Sequence, residues 1–456
     1  MELKNKRVLV VGIGKSGISA AMFLRGLGAR VTVSDTRSAI ALAEQIPALL
    51  DAGVMVESGG HGLLTFRRQD LIVVSPGVPL DTPEVKQVIG YGLPVIGELE
   101  LATRFLKGQI VAVTGSNGKT TTTSLIGKIF ADAGRPTQVG GNIGLPVIEL
   151  IAGSTDETTN VLEVSSFQLE TTEEFHPRIA VILNITPDHL DRHHSFEAYV
   201  AAKEKIFANQ TADDALVLSA DDLTTQMCAG KTKARVYWFS ATKVVRQGAF
   251  LRDGVVCWVE KEGGKSEPIL PVAEIHLKGT HNVENVLAAV CAARLAGVPA
   301  EQIRAAVASF KAVEHRLEYV RTVKGVEYFN DSKATNVDAA MKAVESFAGC
   351  VHLILGGKDK DSDYTQMAQV GGKPLGERVK SVYTIGSAAE KIERQLVGVV
   401  KIVSAGTLAT AVAKAASGAT AGDVVLLAPA CSSFDQFDNY EHRGRVFRQL
   451  VMDLPG

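Results

Sequence analysis

The chain has 456 residues, of which 46% are hydrophobic and 21% charged, and its formal net charge is -2. This composition excludes a disordered chain, and the near-zero net charge gives no general attraction to nucleic acid or to an anionic membrane. The length allows about three domains. Because we find no uninterrupted apolar run of about 18 residues and no signal-peptide cleavage pattern near the N-terminus, we expect a cytosolic protein.

The first segment alternates strands and helices. Strands are predicted at RVLVVGIG, RVTVSD and LIVVSPGV, with a helix from about Ser16 to Leu27. The glycines of Gly12-Ile-Gly14-Lys-Ser-Gly17 precede that helix, and Asp35 ends the next strand at the spacing of a ribose-binding acid. Taken alone, these features indicate a dinucleotide-binding site. The physical argument supports only the binding of a diphosphate at the helix N-terminus, which any nucleotide diphosphate could supply. The alternative is a structural tight turn.

The segment IVAVTGSNGKT begins a second strand and helix series with a phosphate loop. Backbone N–H groups of this loop can surround a phosphate, with Lys119 on the terminal phosphates and the Thr120 hydroxyl on Mg²⁺. The usual P-loop has a glycine five positions before its Gly-Lys pair, where this chain has Val113. The alternative is an ordinary glycine turn before a helix.

Polar residues follow the next two predicted strands. Glu163 ends a strand where a carboxylate can meet the cation at the phosphate loop, and its alternative is a helix-capping or surface acid. A later loop holds Asp188, His189, Asp191, His193 and His194. It lacks the frame of a zinc site, so we interpret most of these side chains as loop caps and retain His189. Composition alone favours Lys203 as a surface lysine.

The rest of the chain completes three α/β blocks. KARVYWF and GVVCWVE are predicted to form antiparallel hairpins, before a helix at HNVENVLAAVCAARLAG. A last block has strands VHLILGG, SVYTIG, KIVSA and DVVLLAPA. We predict an N-terminal Rossmann-like domain at 1–97, a central P-loop-type ATP-binding domain at 98–312 and a C-terminal Rossmann-like domain at 313–456. Five scattered cysteines without a CxxC pair are interpreted as small buried residues.

Several motifs together resemble the Mur ligases of peptidoglycan synthesis, which are related to folylpolyglutamate synthases. They are TGSNGKT, GGNIG, LEVSSFQLE, NITPDHLDRH, KGTHNVENVLAA, EHRLE and NDSKATN, in this order. The resemblance covers nearly the whole chain, and the family pattern TGxxGK[ST] accommodates Val113. It implies a three-domain, ATP-dependent, amide-forming enzyme. Ser34-Asp35-Thr36-Arg37 and the tail PACSSFDQFDNYEHRG are most similar to the members that add D-glutamate to UDP-N-acetylmuramoyl-L-alanine.

The resemblance also implies roles for individual residues. The implied ATP site comprises Gly115, Ser116, Asn117, Gly118, Lys119, Thr120, Thr121, Asn282, Asn285, Arg316, Asp331 and Lys333. The implied catalytic residues are Lys119, Glu163, His189 and Lys203, with Mg²⁺ on Thr120, Glu163, His189 and Lys203 as a carbamate. The implied substrate site comprises Gly14, Lys15, Ser16, Asp35, Thr36, Arg37, Asn142, Ser165, His189, Thr335, Lys360, Ser433, Phe434 and Tyr440.

Within that set, Asp35, Thr36 and Arg37 are assigned to the uracil end and Asn142 to the muramoyl part. Thr335, Ser433, Phe434 and Tyr440 are assigned to D-glutamate. One motif departs from the family. Where a pattern like GGDGK is expected, the chain has Gly356-Gly357-Lys358-Asp359-Lys360. We expect Lys360 to reach the D-glutamate carboxylate, and Lys358 is the alternative.

Two other classes of function compete with the ligase. An NAD-dependent oxidoreductase would explain the first glycine turn and leave the phosphate loop and Glu163 unexplained. A nucleotide-switched protein that only hydrolyses ATP would leave the lysines for an acidic substrate without a purpose. For the ligase we expect an acyl-phosphate intermediate, a monomer and closure of the third domain on the second.

Overall fold

The first α/β unit of the computed structural model is a five-stranded parallel sheet. The structure describes residues 1–277, 279–311 and 314–455. The strands are β1 (Arg7–Val11), β2 (Arg30–Asp35), β3 (Met55–Ser58), β4 (Leu71–Val74) and β5 (Val95–Gly97), in the order β3-β2-β1-β4-β5. The helices are α1 (Lys15–Gly26), α2 (Ile46–Asp51), α3 (Leu63–Arg67), α4 (Pro83–Gly90) and α5 (Glu98–Thr103). This strand order is that of a Rossmann sheet.

The second unit is a nine-stranded mixed sheet in the order β14-β13-β12-β11-β10-β9-β6-β8-β7. Its strands are β6 (Gln109–Thr114), β7 (Thr137–Gly141), β8 (Thr159–Glu163), β9 (Ile179–Ile182), β10 (Ala215–Ser219), β11 (Arg235–Ser240), β12 (Gly248–Arg252), β13 (Val255–Val259) and β14 (Glu267–Pro271). Its helices are α6 (Lys119–Asp132), α7 (Val147–Leu150), α8 (Ser166–Leu169), α9 (Leu190–His193), α10 (Phe196–Glu204), α11 (Leu223–Cys228), α12 (Thr280–Leu295) and α13 (Ala300–Ser309). Short 3₁₀ turns lie at Ile151–Gly153, Lys205–Phe207 and Val272–Glu274.

The third unit is a six-stranded sheet in the order β15-β16-β22-β17-β20-β21, antiparallel only at β15. Its strands are β15 (Glu318–Val323), β16 (Val326–Asn330), β17 (Val351–Gly356), β20 (Val379–Ile385), β21 (Ile402–Gly406) and β22 (Val424–Leu427), with β18 (Gln369–Val370) and β19 (Lys373–Pro374) forming a separate ribbon. Its helices are α14 (Val337–Glu345), α15 (Leu375–Arg378), α16 (Ala389–Gln395), α17 (Leu408–Gly418) and α18 (Tyr440–Met452), and a 3₁₀ turn lies at Tyr364–Ala368. The predicted three-domain α/β class is confirmed.

The cores show which units are packed together. One hydrophobic cluster runs from Leu3 in the first unit to Ala234 in the second, joined through α5 and α7. The two clusters of the third unit, among the described residues, contain only residues from 317 onward. The first two units therefore share a core, whereas the third meets them through polar contacts, as movable domains commonly do.

Two details differ from the sequence interpretation. β11 pairs in parallel with both β10 and β12, and the antiparallel hairpin is instead formed by β12 with β13, so KARVYWF is not a hairpin strand. Four cysteines are buried, but Cys350 is exposed.

Among the described residues, no helix is both long and apolar enough to cross a membrane.

We predict that Gly248→Ala lowers the free energy of unfolding by about 3 kcal/mol. Gly248 has a φ of 126°, and a Cβ there would lie 1.8 Å from the Trp238 carbonyl oxygen on the neighbouring strand. Gly254→Ala is the matched control, because φ is 73° and nothing lies within 4 Å of its Cβ position. It should cost about 1 kcal/mol. Equal losses for both variants in urea denaturation would contradict the steric argument.

Candidate active site

The site lies where the carboxyl ends of parallel strands from the second and third sheets face each other. The loop after β6 carries the phosphate motif, β8 ends at Glu163, and the loop after β9 carries His189. From the third sheet, β16 leads to Asp331 and β17 leads to Lys360. Ligands of open α/β sheets bind at this edge, because the loops there converge and helices begin there.

The phosphate loop is held by its own lysine. Lys119 Nζ donates to the carbonyl oxygens of Gly115 and Ser116, each at 2.8 Å. Gly118 has a φ of 84°, and a Cβ there would lie 2.1 Å from Asn285 Oδ1. Only glycine fits this close approach. The loop therefore leads directly into α6, whose N-terminus favours an anion.

A buried carboxylate joins the loop to the neighbouring strands. Glu163 is 1% exposed and accepts hydrogen bonds from Thr120 Oγ1 at 2.7 Å and from Asn142 Nδ2 at 2.9 Å. Burial by itself would raise the pKa of Glu163, but Lys333 and Lys119 lower it below its usual value. Glu163 is thus a charged oxygen donor of the kind that Mg²⁺ prefers.

Lys203 is buried beside the loop. It is 1% exposed, and its Nζ donates at 2.9 Å to the same Gly115 carbonyl that Lys119 contacts. Burial first, and then repulsion by Lys119, hold the pKa of Lys203 well below its usual value. The interpretation of Lys203 as a surface lysine is therefore wrong. The helix α10 turns this face inward, with the Tyr199 ring 4.5 Å from Nζ.

The loop after β9 places a carboxylate next to an imidazole. His189 adopts a φ of 56°, and its ring meets the edge of Phe167 at a centroid distance of 4.8 Å. Burial lowers the pKa of His189. Burial would raise the pKa of Asp188, but the nearby Lys360 ammonium lowers it. His189 is thus a neutral imidazole with a lone pair available to a metal ion, beside an ionised carboxylate.

Polar contacts bring the third domain onto the loop. Lys333 Nζ donates to Thr120 Oγ1. Asn336 donates to Asp188 at 2.9 Å, and Lys360 Nζ lies 3.5 Å from the other oxygen of that carboxylate. A further bond joins Asn117 Nδ2 to Asp338 Oδ2 at 2.5 Å. The third domain is therefore closed on the second in this structure.

A narrow pocket, of about 40 Å³, lies between these domains. Seven of the residues assigned to ATP line it: Asn117, Gly118, Thr121, Asn282, Asn285, Arg316 and Asp331. Arg316 Nε and Asp331 Oδ1 are buried there with no hydrogen-bond partner among the described residues. Burying unpartnered polar atoms is costly, so these two are poised to bind a polar ligand.

A groove of about 650 Å³ runs between the first and second domains. It is lined by Gly14, Lys15, Ser16, Asp35, Thr36, Arg37 and Asn142, as well as by His61, which the sequence analysis did not select. Asp35 accepts hydrogen bonds from Ile13 N at 2.7 Å and from Arg37 Nη2 at 2.8 Å. Because Asp35 is already bonded to protein donors, it is poorly suited to the ribose contact of a dinucleotide.

A second pocket, of about 370 Å³, lies beside the phosphate loop. It is lined by Lys119, Asn142, Ser165, His189, Lys203, Thr335, Lys360, Ser433, Phe434 and Tyr440. Lys360 faces this pocket, whereas Lys358 is exposed and does not line it. Asn142 lines both this pocket and the groove of the first domain, which makes the two spaces neighbours.

The structure also reveals a buried residue of the tail motif PACSSFDQFDNYEHRG that was not selected as a site residue. Arg443 is fully buried and donates to the Ser332 carbonyl at 2.7 Å, to Ser332 Oγ at 3.0 Å and to the Cys431 carbonyl at 3.1 Å. It thereby fixes the loop of Lys333 to the loop of Ser433. Its signal in the sequence was weak, because an arginine on an amphipathic helix is usually exposed.

Three family models together match most of the chain. They are the Mur ligase MurD-like N-terminal domain at residues 6–97, the Mur ligase middle domain at 113–293 and the Mur ligase glutamate ligase domain at 315–431. Curated relatives span the whole length. A UDP-N-acetylmuramoylalanine--D-glutamate ligase of Acidobacterium capsulatum is 66% identical over 99% of this chain and 97% of its own, and one of Koribacter versatilis is 58% identical over 100% and 99%.

Solved structures share the fold at lower identity. A pseudomurein peptide ligase type C from Methanothermus fervidus has a TM-score of 0.61 at 20% identity and covers 99% of this chain and 100% of its own. A UDP-N-acetylmuramate-alanine ligase from Thermotoga maritima has a TM-score of 0.60 at 19% identity, covering 98% and 99%. At these identities the likeness concerns the fold.

We predict that Asp331→Asn removes a pH-dependent cost to stability. Burial raises the pKa of Asp331 to about 6 despite the nearby Arg316. The folded state binds the Asp331 proton more tightly than the unfolded state does. The contribution of Asp331 to the free energy of unfolding is therefore favourable below about pH 4 and is lost as pH rises through about 6. The loss amounts to about 3 kcal/mol.

The measurement is urea denaturation of both proteins from pH 4.5 to pH 8. The wild type should lose stability relative to Asp331→Asn over this range, and a constant difference between them would contradict the prediction. If the charged Asp331 carboxylate contacts the nucleotide, Asp331→Asn should also bind ATP more weakly than the wild type.

Proposed function

The chain belongs to the Mur ligase family, and on this premise we propose that it joins D-glutamate to UDP-N-acetylmuramoyl-L-alanine in an ATP-dependent reaction. The products are the amide, ADP and phosphate, and the reaction serves the cytoplasmic synthesis of peptidoglycan precursors. The observation that carries the proposal is the position of Asn142, which lines both the first-domain groove and the lysine-lined pocket beside the phosphate loop. A UDP-sugar in the groove can thus extend its carboxylate towards the loop.

The chemical problem is that a carboxylate does not react with an amine at neutral pH. In the first step, an oxygen of the L-alanyl carboxylate attacks the γ-phosphorus of ATP, and the bond to the bridging oxygen of ADP breaks. Lys119 and the N–H groups at the start of α6 stabilise the charge on the transferred phosphoryl group. The nucleotide pocket, with Arg316 and Asp331, orients ATP for this in-line transfer.

In the second step, the amine of D-glutamate attacks the acyl carbon. The C–O bond to phosphate breaks, phosphate leaves, and the nitrogen loses a proton. Two anionic substrates must meet here, so cationic side chains are needed to offset their repulsion. Lys360 serves the side-chain carboxylate of the amino acid, and Thr335 and Ser433 complete its pocket. Contacts of the third domain with the loop limit water at the acyl phosphate.

The residues present suit Mg²⁺. Thr120 and Glu163 offer hard oxygen donors, and they already accommodate one positive charge, because the Lys333 ammonium donates to Thr120. His189 and a carbamylated Lys203 would hold a second ion. Bound Mg²⁺ supplies neutralisation of the phosphate charge.

The environment of Lys203 supports its proposed carbamylation. A buried lysine with a strongly lowered pKa has its neutral amine available, and only the neutral amine attacks CO₂. The resulting carbamate exchanges a cation for an anion. This exchange relieves the repulsion between Lys203 and Lys119.

We expect phosphate release from ATP to require both UDP-N-acetylmuramoyl-L-alanine and D-glutamate. The assay omits each in turn and replaces D-glutamate by L-glutamate, L-lysine or meso-diaminopimelate. Release with another amino acid would retain the mechanism and change the specificity. Release without any amino acid would favour the simple ATPase and reject the proposal.

We expect ¹³C NMR of the wild type in ¹³C-bicarbonate to show a carbamate resonance that the Lys203→Arg variant lacks. The ligase activity of Lys203→Arg should be about 100-fold lower than that of the wild type. Arginine keeps a positive charge and cannot form the carbamate. Lys128→Arg is the matched control, because Lys128 lies on the surface in an ion pair with Asp132. A resonance that persists in Lys203→Arg would place the carbamate elsewhere.

A further inference from the structure

The loop that carries Lys358 and Lys360 presents them to different surroundings. Lys358 is tied by its backbone to Ser432, with N–O distances of 2.9 and 3.1 Å, and its side chain is exposed. The Lys360 side chain is only 12% exposed and lies near Asp188. Because the two residues are only two positions apart on an irregular loop, something must fix which of them faces the pocket.

The residue between them, Asp359, is held from three sides. Its Oδ2 accepts from Lys391 Nζ on α16 at 2.7 Å. Its Oδ1 accepts from the Tyr364 hydroxyl at 2.8 Å and from Ser362 N at 3.1 Å. Burial alone would raise the pKa of Asp359, but Lys391 and Tyr364 lower it, so the carboxylate is charged.

The second anchor, Tyr364, reaches the neighbouring loop that leads to Ser433. Tyr364 is fully buried, and its hydroxyl lies 2.9 Å from Sγ of the buried Cys431. Burial raises the pKa of both groups, so both keep their protons and can form a chain of donors that ends on Asp359. Cys431 precedes Ser432 and Ser433, which line the pocket. The clamp therefore links the lysine loop to the serine loop beside the amino-acid pocket.

We propose that Asp359, clamped by Lys391 and Tyr364, is a positioning residue that presents Lys360, and not Lys358, to the side-chain carboxylate of the amino-acid substrate. The assignment of that substrate rests on the proposed function. The clamp itself does not, because it is built from contacts within the third domain. It also gives a purpose to the aspartate that departs from the expected motif.

The test compares Asp359→Asn with Asp361→Asn in the full-length chain. Asparagine at 359 retains the size and can still accept from Tyr364, but it loses the ion pair with Lys391. Asp361 is the matched control, because it has the same side chain, lies 3.5 Å from Lys391 and is 88% exposed. Hydrogen bonds to charged groups of this kind correspond to about a tenfold effect.

Two measurements are made on each variant. Acetylation of the ligand-free chain, mapped by peptide mass spectrometry, should modify Lys358 faster than Lys360 in the wild type and in Asp361→Asn, and this difference should be lost in Asp359→Asn. In steady-state kinetics, Asp359→Asn should raise the KM for D-glutamate about tenfold and leave the KM values for ATP and the UDP-substrate and the melting temperature unchanged. Lys391→Met should behave like Asp359→Asn, and the double variant should be no worse.

Each result has a distinct meaning. Equal behaviour of Asp359→Asn and Asp361→Asn in both measurements would overturn the inference. So would a parallel rise of all three KM values with a lower melting temperature, because that pattern marks a contact that only stabilises the fold. If the wild type does not use D-glutamate at all, the proposed function fails, while the acetylation result still decides whether Asp359 orients Lys360.

Discussion

The concentration of buried lysines around one loop governs the rest of this structure. Lys119 and Lys203 share the Gly115 carbonyl, and Lys333 and Lys360 approach from the third domain. Glu163 and Asp188 oppose them, as does Glu441 for Lys333, and burial lowers the pKa values of Lys119, Lys203 and Lys333. Cations removed from water are costly without anions. The site is thus suited to ligands that bring negative charge, such as ATP and carboxylate substrates.

The same charges explain how the domains are joined. A continuous hydrophobic core unites the first two domains, so the groove between them is a stable feature. The third domain instead touches the loop through hydrogen bonds and ion pairs, which exchange readily with water and with ligand atoms. Lys333 contacts Thr120, where a metal ion is proposed. Occupation of the proposed metal site would therefore change one of the contacts that hold the third domain on the second.

Individual residues show which features of the structure could be predicted from the sequence. The glycine-rich turns, the ends of β6 and β8 and the helix α12 were placed correctly, because apolar runs bounded by glycine are short-range signals. The surface interpretation of Lys203 and the pairing of β11 were wrong. Both depend on packing partners far away in the chain, and neither composition nor periodicity reports on them. His61 was missed because nothing in its local sequence distinguishes it from a solvated side chain, and Arg443, although part of the tail motif, was missed because its burial depends on Ser332 and Cys431.

The fold class, the glycine loop before α6 and the resemblance to a ligase family could be inferred from the amino-acid sequence, because they depend on local patterns of glycine, lysine and apolar residues. Which side chains share one site became known from the three-dimensional structure. It brought Asn142 to the junction of two pockets and turned Lys360 inward and Lys358 outward. It also left Arg316 Nε and Asp331 Oδ1, both from residues that line the narrow interdomain pocket, without partners among the described residues. The physical reason is that burial and neighbouring charges set the state of an ionisable group, and both arise from contacts between distant segments.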